Sequence, residues 1–147
     1  MKKIFNSLVV VLLAVTGLSL TSCSDDDEST PISYNDLPYV SQQFIVTYFP
    51  WADVEAVYME GGEYNVNLSD GTDIEFNLSG EWTDVDAMIG VTLPTGFYPS
   101  AIDMYISENI PGGGINEISR NVNGYEVELV DGQDLIFNLE GIFIGMD

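Results

Sequence analysis

From Glu63 onward the chain alternates between apolar and polar residues. Tyr64, Val66 and Leu68 are set against Glu63, Asn65 and Asn67, and the alternation resumes with Ile74, Phe76 and Leu78 against Asp73, Glu75 and Asn77. A period of two sends successive side chains to opposite faces of a strand, so these runs predict an antiparallel hairpin with one buried face. Asp70-Gly71 lies between them, where glycine supplies the positive φ of a tight turn. Val54 to Glu60 predicts a preceding strand and Glu81 to Val85 a following one. Upstream the period lengthens. Leu37, Val40, Phe44, Ile45 and Tyr48 recur at helical spacing, with Asp36 able to cap, Pro38 in the first turn and Pro50 as a stop.

The same pattern returns 61 residues later. Tyr64 to Gly80 aligns without a gap on Tyr125 to Gly141, and the offset also matches Pro38 with Pro99, Phe44 with Tyr105, Pro50 with Pro111 and Trp82 with Phe143. Register kept over some fifty residues indicates a duplicated unit. The predicted class is therefore α+β: two tandem repeats, about 35–86 and 96–147 within a folded region 34–147. Each repeat is one helix followed by a three- to four-stranded antiparallel sheet, with the helices on one side. Units of this size are marginal alone, so the two copies are expected to pack together or to share a continuous sheet. The face without helices is then polar, with Asn65, Asn67, Asp73, Glu75 and Asn77 in one copy. Glu126, Glu128, Asp134, Ile136 and Asn138 occupy the matching positions, and Ile136 breaks the polar pattern.

The helix ending in Tyr48-Phe49-Pro50, the strand Tyr64-x-Val66-x-Leu68-x-Asp70-Gly71, and the segments Ile74-Glu75-Phe76-Asn77 and Gly80-Glu81-Trp82 carry a resemblance. They resemble the PepSY-like, β-lactamase-inhibitor-protein-like domain of Bacteroidetes secreted proteins. That resemblance covers both copies and implies helices over one side of an antiparallel sheet. It also implies a role in binding a protein partner, with inhibition of a peptidase or another hydrolase among the expectations. On this basis the candidate partner-binding residues are Asn65, Asn67, Glu75, Asn77, Glu126, Glu128, Ile136 and Asn138. The second copy departs from the pattern, with Ile142-Phe143 in place of Glu81-Trp82 and Gly112-Gly113-Gly114 in place of Trp51-Ala52-Asp53.

The amino terminus changes the picture of location. Lys2 and Lys3 precede an apolar run to Leu20, and Leu20-Thr21-Ser22-Cys23 resembles a bacterial lipobox, so residues 1–22 are expected to be a removed leader and Cys23 the lipidated first residue. Acyl chains contribute about 0.8 kcal/mol per buried CH₂, and more than one is needed for stable anchoring. Residues 23–33, including Ser24-Asp25-Asp26-Asp27-Glu28, are expected to form an acidic tether. An acidic run behind the lipidated cysteine also resembles the export signal of Bacteroidetes surface lipoproteins. The expected location is the outer membrane, displayed at the cell surface or on its periplasmic face.

Charge and inventory exclude much chemistry. Once the leader is removed, Arg120 is the only basic side chain against 24 carboxylates. Phosphate backbones and anionic headgroups are bound by lysine and arginine, so nucleic acid is excluded as a partner and membrane contact is expected through the lipid alone. With no histidine, no mature lysine and a single cysteine assigned to lipid, serine–histidine, cysteine–histidine and Schiff-base mechanisms are excluded. No enzyme activity and no cofactor are expected. Calcium is the alternative chemistry, because Asp70, Asp73, Asp131 and Asp134 place two carboxylates at each hairpin turn. Neither copy has the ligand spacing of an EF-hand, and aspartates favour such turns on their own account. The alternative function is thus a calcium-binding or structural envelope protein. Leu93-Pro94-Thr95-Gly96 lacks a residue of a sortase signal and reads as a linker, and Gly112-Gly113-Gly114 as a flexible connection.

Overall fold

The computed structural model describes residues 29–147; the leader, Cys23 and the acidic run as far as Glu28 lie outside them. Nine strands form one continuous antiparallel sheet in chain order. They are β1 (Thr30–Pro31), β2 (Val54–Glu60), β3 (Glu63–Leu68), β4 (Asp73–Phe76), β5 (Trp82–Asp86), β6 (Ile115–Asn121), β7 (Gly124–Leu129), β8 (Asp134–Asn138) and β9 (Phe143–Met146). Two ten-residue helices, α1 (Tyr39–Tyr48) and α2 (Ser100–Asn109), precede β2 and β6.

This corrects the expected class. The molecule is mostly β, a single nine-stranded sheet with two short helices, and not two tandem helix-plus-sheet repeats. The reason is the join between β5 and β6, where Asp84 pairs with Ser119, Val85 with Ile118 and Asp86 with Glu117. Matching elements still begin 61 residues apart, as α1 and α2 do, but no sheet edge separates them.

The join also makes the core continuous. Val57, Val66, Ile74, Val85, Ile118, Val127 and Leu135 form one row across β2 to β8 and are all buried. Both helices pack on that side. Phe44 from α1 meets the ring of Phe76 edge-on at 5.6 Å, and Tyr105 from α2 meets Phe137 at 5.6 Å and stacks on Phe143 at 4.3 Å. The Ser41 hydroxyl, buried in α1, donates to the Gly80 carbonyl at 3.0 Å and ties the helix to the β4–β5 turn.

Several local expectations change. Asp36 caps a short 3-10 turn (Tyr34–Asp36) by accepting the Ser33 N–H at 3.0 Å, whereas α1 follows Pro38 at its N-cap and has no side-chain cap. Val40 and Leu78 are exposed, because Val40 lies on the outer side of α1 and β4 stops at Phe76. Tyr64 is half-buried, while Tyr125 is buried. The end of the expected tether enters the fold, since Thr30 and Pro31 pair with Met59 and Tyr58. The linker is packed rather than loose. Leu93 is buried and donates its N–H to the Ile115 carbonyl at 2.7 Å, and Phe97 packs edge-on against Trp82 at 5.2 Å. Gly114 approaches Thr92 so closely that a β-carbon would clash, so this glycine serves close packing rather than flexibility.

Candidate functional site

Strand alternation that buries one face commits the other to solvent, and here the open face carries carboxylates in rows. The cross-strand pairing places Tyr58, Asn65, Glu75, Asp84, Ser119, Glu126, Ile136 and Gly145 side by side from β2 to β9. A second row runs through Ala56, Asn67, Asp73, Asp86, Glu117, Glu128 and Asp134. Neighbouring strands are about 4.8 Å apart, so the eight carboxylates of these rows, spread from β4 to β8, each have another on the same or an adjacent strand.

Six of the eight expected partner-binding residues stand in these rows: Asn65, Glu75, Glu126 and Ile136 in the first, Asn67 and Glu128 in the second. Asn77 and Asn138 do not. Asn77 directly follows β4 and Asn138 is the last residue of β8, and each shapes the turn that follows: the Asn77 amide oxygen accepts the N–H groups of Ser79 and Glu81 and that of Asn138 accepts those of Glu140 and Ile142. Asp84, Asp86, Glu117 and Ser119 join the face although they were not among the candidates. Their signal was present, since Asp84 and Asp86 flank Val85, and Glu117 and Ser119 flank Ile118, in period-two order.

The middle of the face is the most perturbed. β5 lies between β4 and β6, so Asp84 is partly withdrawn from water, and burial raises its carboxyl to about 7. Glu117, Glu75, Asp86 and Glu63 add like-charge repulsion. Burial also raises Glu75, Asp86 and Glu117, each with neighbouring carboxylates pushing the same way. Like charges this close disfavour the ionised form. Arg120 does not relieve them. It pairs with Tyr125 on the helix side of the sheet, lies 5.2 Å from the centre of the Trp82 ring and reaches Glu81 at 3.7 Å. Among the described residues no other basic side chain exists to neutralise the face.

The turn aspartates are engaged locally. Asp70 accepts the Thr72 N–H at 3.0 Å and the Trp51 indole N–H at 2.8 Å, and these hydrogen bonds hold its carboxyl below the ordinary value against the opposing effect of burial. Asp131 accepts the Gln133 N–H at 3.2 Å, and Asp73 accepts from Asn67. Gly71 and Gly132 take φ of 84° and 83°, as the tight turns require. No group of three acidic, histidine or cysteine side chains among the described residues is arranged to hold a metal ion. No described helix is long and apolar enough to cross a membrane.

Comparison with known proteins gives this arrangement a context. Residues 62–145 match the family described as "putative beta-lactamase-inhibitor-like, PepSY-like". A protein of Bacteroides thetaiotaomicron described as a "putative calcium-regulated periplasmic protein" has a similar crystal structure, with TM-score 0.76 and 31% identity, over 81% of this chain and 96% of that one. Two Bacteroides vulgatus proteins, each described as a "putative periplasmic protein", are similar too. One has TM-score 0.77 and 30% identity over 82% of this chain and 99% of its own. The other has TM-score 0.76 and 33% identity over 84% and 98%. A search of curated proteins found no match. The match over most of the sheet, with solved relatives at this identity, means that the chain belongs to the PepSY-like, beta-lactamase-inhibitor-like family.

Proposed function

We propose that this protein is a non-catalytic lipoprotein of the cell envelope whose open sheet face binds a protein partner through a basic surface. The observation that carries the reading is the pair of carboxylate rows, which face solvent with no cation among the described residues beside them. A partner lysine or arginine placed over Asp84 or Glu117 would relieve repulsion that the isolated protein cannot. The family's inhibitor-like description supports a hydrolase as the partner, and the relatives described as periplasmic support an envelope location. The lipobox-like sequence at Cys23 supports attachment to the outer membrane.

Complementary charge acts mainly on the encounter rate. A partner captured from envelope extracts should therefore associate more slowly as salt rises, and charge reversal at Glu75, Glu126 and Glu128 should slow it further without altering the fold. A partner indifferent to both changes would refute the reading.

A second reading has its own support, because one relative is described as calcium-regulated and the carboxylates of the face are hard-cation ligands. Calcium bound only by the native state would raise the melting temperature with concentration. An unchanged melting curve in millimolar calcium would remove it.

A further inference from the structure

We propose that the free edge of β9 accepts a strand: an extended segment of the partner in which apolar residues alternate with lysine or arginine. The inference rests on the reading that the open face receives a basic partner, and adds where that partner's backbone docks. β9 ends the sheet and pairs only with β8 among the described strands. Asn138 donates to the Ile142 carbonyl and the Asp147 N–H donates to the Asp134 carbonyl. An antiparallel ladder alternates bonded and non-bonded pairs, and a register irregularity at Ile144, which has no partner in β8, sets both Phe143, opposite Phe137, and Met146, opposite Leu135, at non-bonded positions, so their N–H and C=O groups point away from the sheet.

The two edges of the sheet differ in how they are guarded. β1 is two residues long and contains Pro31, both of which discourage further pairing. β9 has no proline and no charge. Ile142, Ile144 and Met146 are all more than half exposed beside it. On the helix side a groove between α2 and the β8–β9 turn, lined by Ala101, Met104, Tyr105 and Ile142, offers room for apolar side chains of an added strand. On the open face Gly145 has nothing within 4 Å of where a β-carbon would stand. A long side chain from the added strand can cross β9 there, with its head near Asp134 and Asp147, whose backbones are joined by a 3.3 Å hydrogen bond. A cation suits that position. A second copy of this chain suits it less, since it would bring Asp147 and its own acidic rows alongside.

The test uses the full chain and three synthetic probes: the acetylated, amidated peptide (Lys-Val)4, the same peptide N-methylated at every residue, and (Glu-Val)4. The first should bind, shift the amide resonances of β9 and protect those of Phe143 and Met146 from exchange. N-methylation, which removes the peptide's donors, should weaken binding at least tenfold. So should the exposed double substitution Ile144→Lys with Met146→Lys, whose melting temperature reports that the fold is kept. Equal binding of the N-methylated peptide would overturn strand pairing while leaving the open face as the docking surface. Equal binding of (Glu-Val)4 would overturn the charge chemistry assigned to the occupant, and with it the acidic-face reading. No binding of (Lys-Val)4, with dimers of the chain that the double substitution abolishes, would overturn the proposal in favour of a second copy.

Discussion

Replacing Asp84 by asparagine tests whether the centre of the acidic face is strained by charge. The substitution keeps the side chain's shape and removes its ionisation. Asp84 is raised from 3.8 to about 7 in the fold, mainly by burial and then by Glu117, Glu75, Asp86 and Glu63. A raised carboxyl means that the folded state holds its proton more tightly than the unfolded chain. The stability tied to that proton is fully present below about pH 4 and is lost as pH rises through about 7. At 1.36 kcal/mol per pH unit of displacement the full difference would be about 4 kcal/mol. Asp84 is still partly open to water, and screening reduces this to roughly 1–2 kcal/mol. For a folded region of this size that corresponds to a rise of roughly 3–8 °C in melting temperature. Thermal denaturation followed by circular dichroism should show Asp84→Asn melting higher than the wild type at pH 8 and level with it at pH 4. A difference of the same size at both pH values would mean that packing, not charge, is responsible, and the electrostatic argument would fail.

Other consequences can be checked alongside. Phe76→Ala and Phe137→Ala each remove a fully buried ring and should cost roughly 3–5 kcal/mol in urea denaturation; a cost below about 0.5 kcal/mol would contradict their place in the core. Gly80→Ala should destabilise by roughly 1–3 kcal/mol, because Gly80 sits at φ 85° and a β-carbon there would stand 2.6 Å from Pro38 and 2.9 Å from the Ser41 hydroxyl. Cys23→Ala should move the protein from the membrane fraction to the soluble one, and mass spectrometry of the mature terminus should find acyl chains on Cys23; an unmodified terminus at another residue would refute the lipobox reading.

Much of the architecture was legible because period-two alternation is a local signal. The strands β2, β3, β4 and β7 and the turns at Asp70-Gly71 and Asp131-Gly132 follow from residues adjacent in the chain. The expectation for Leu78 fails for an equally local cause, which its counterpart Leu139 shares. Each continues the apolar alternation by one position, but the asparagine before it turns the chain by accepting backbone N–H groups, and the leucine is left outside.

The join between β5 and β6 could not be read in this way, and the character of the acidic face depends on it. The two strands are separated by the segment from Ala87 to Gly114, and no periodicity within either reports that they pair. What fixes the pairing is partly a single buried side chain. The Asn116 amide donates to the carbonyls of Ala87, Met88 and Val91 at 3.2, 3.0 and 2.9 Å, and so holds the start of that segment against β6. Two separate sheets would have left Asp84 on an edge strand, hydrated on one side and away from Glu117. In the continuous sheet β5 is the middle strand of nine, with Ser119 opposite Asp84 and Glu117 opposite Asp86. The raised carboxyl of Asp84 is therefore a property of the join and not of either half. A partner that recognises this charge recognises a feature that exists only once both halves are paired.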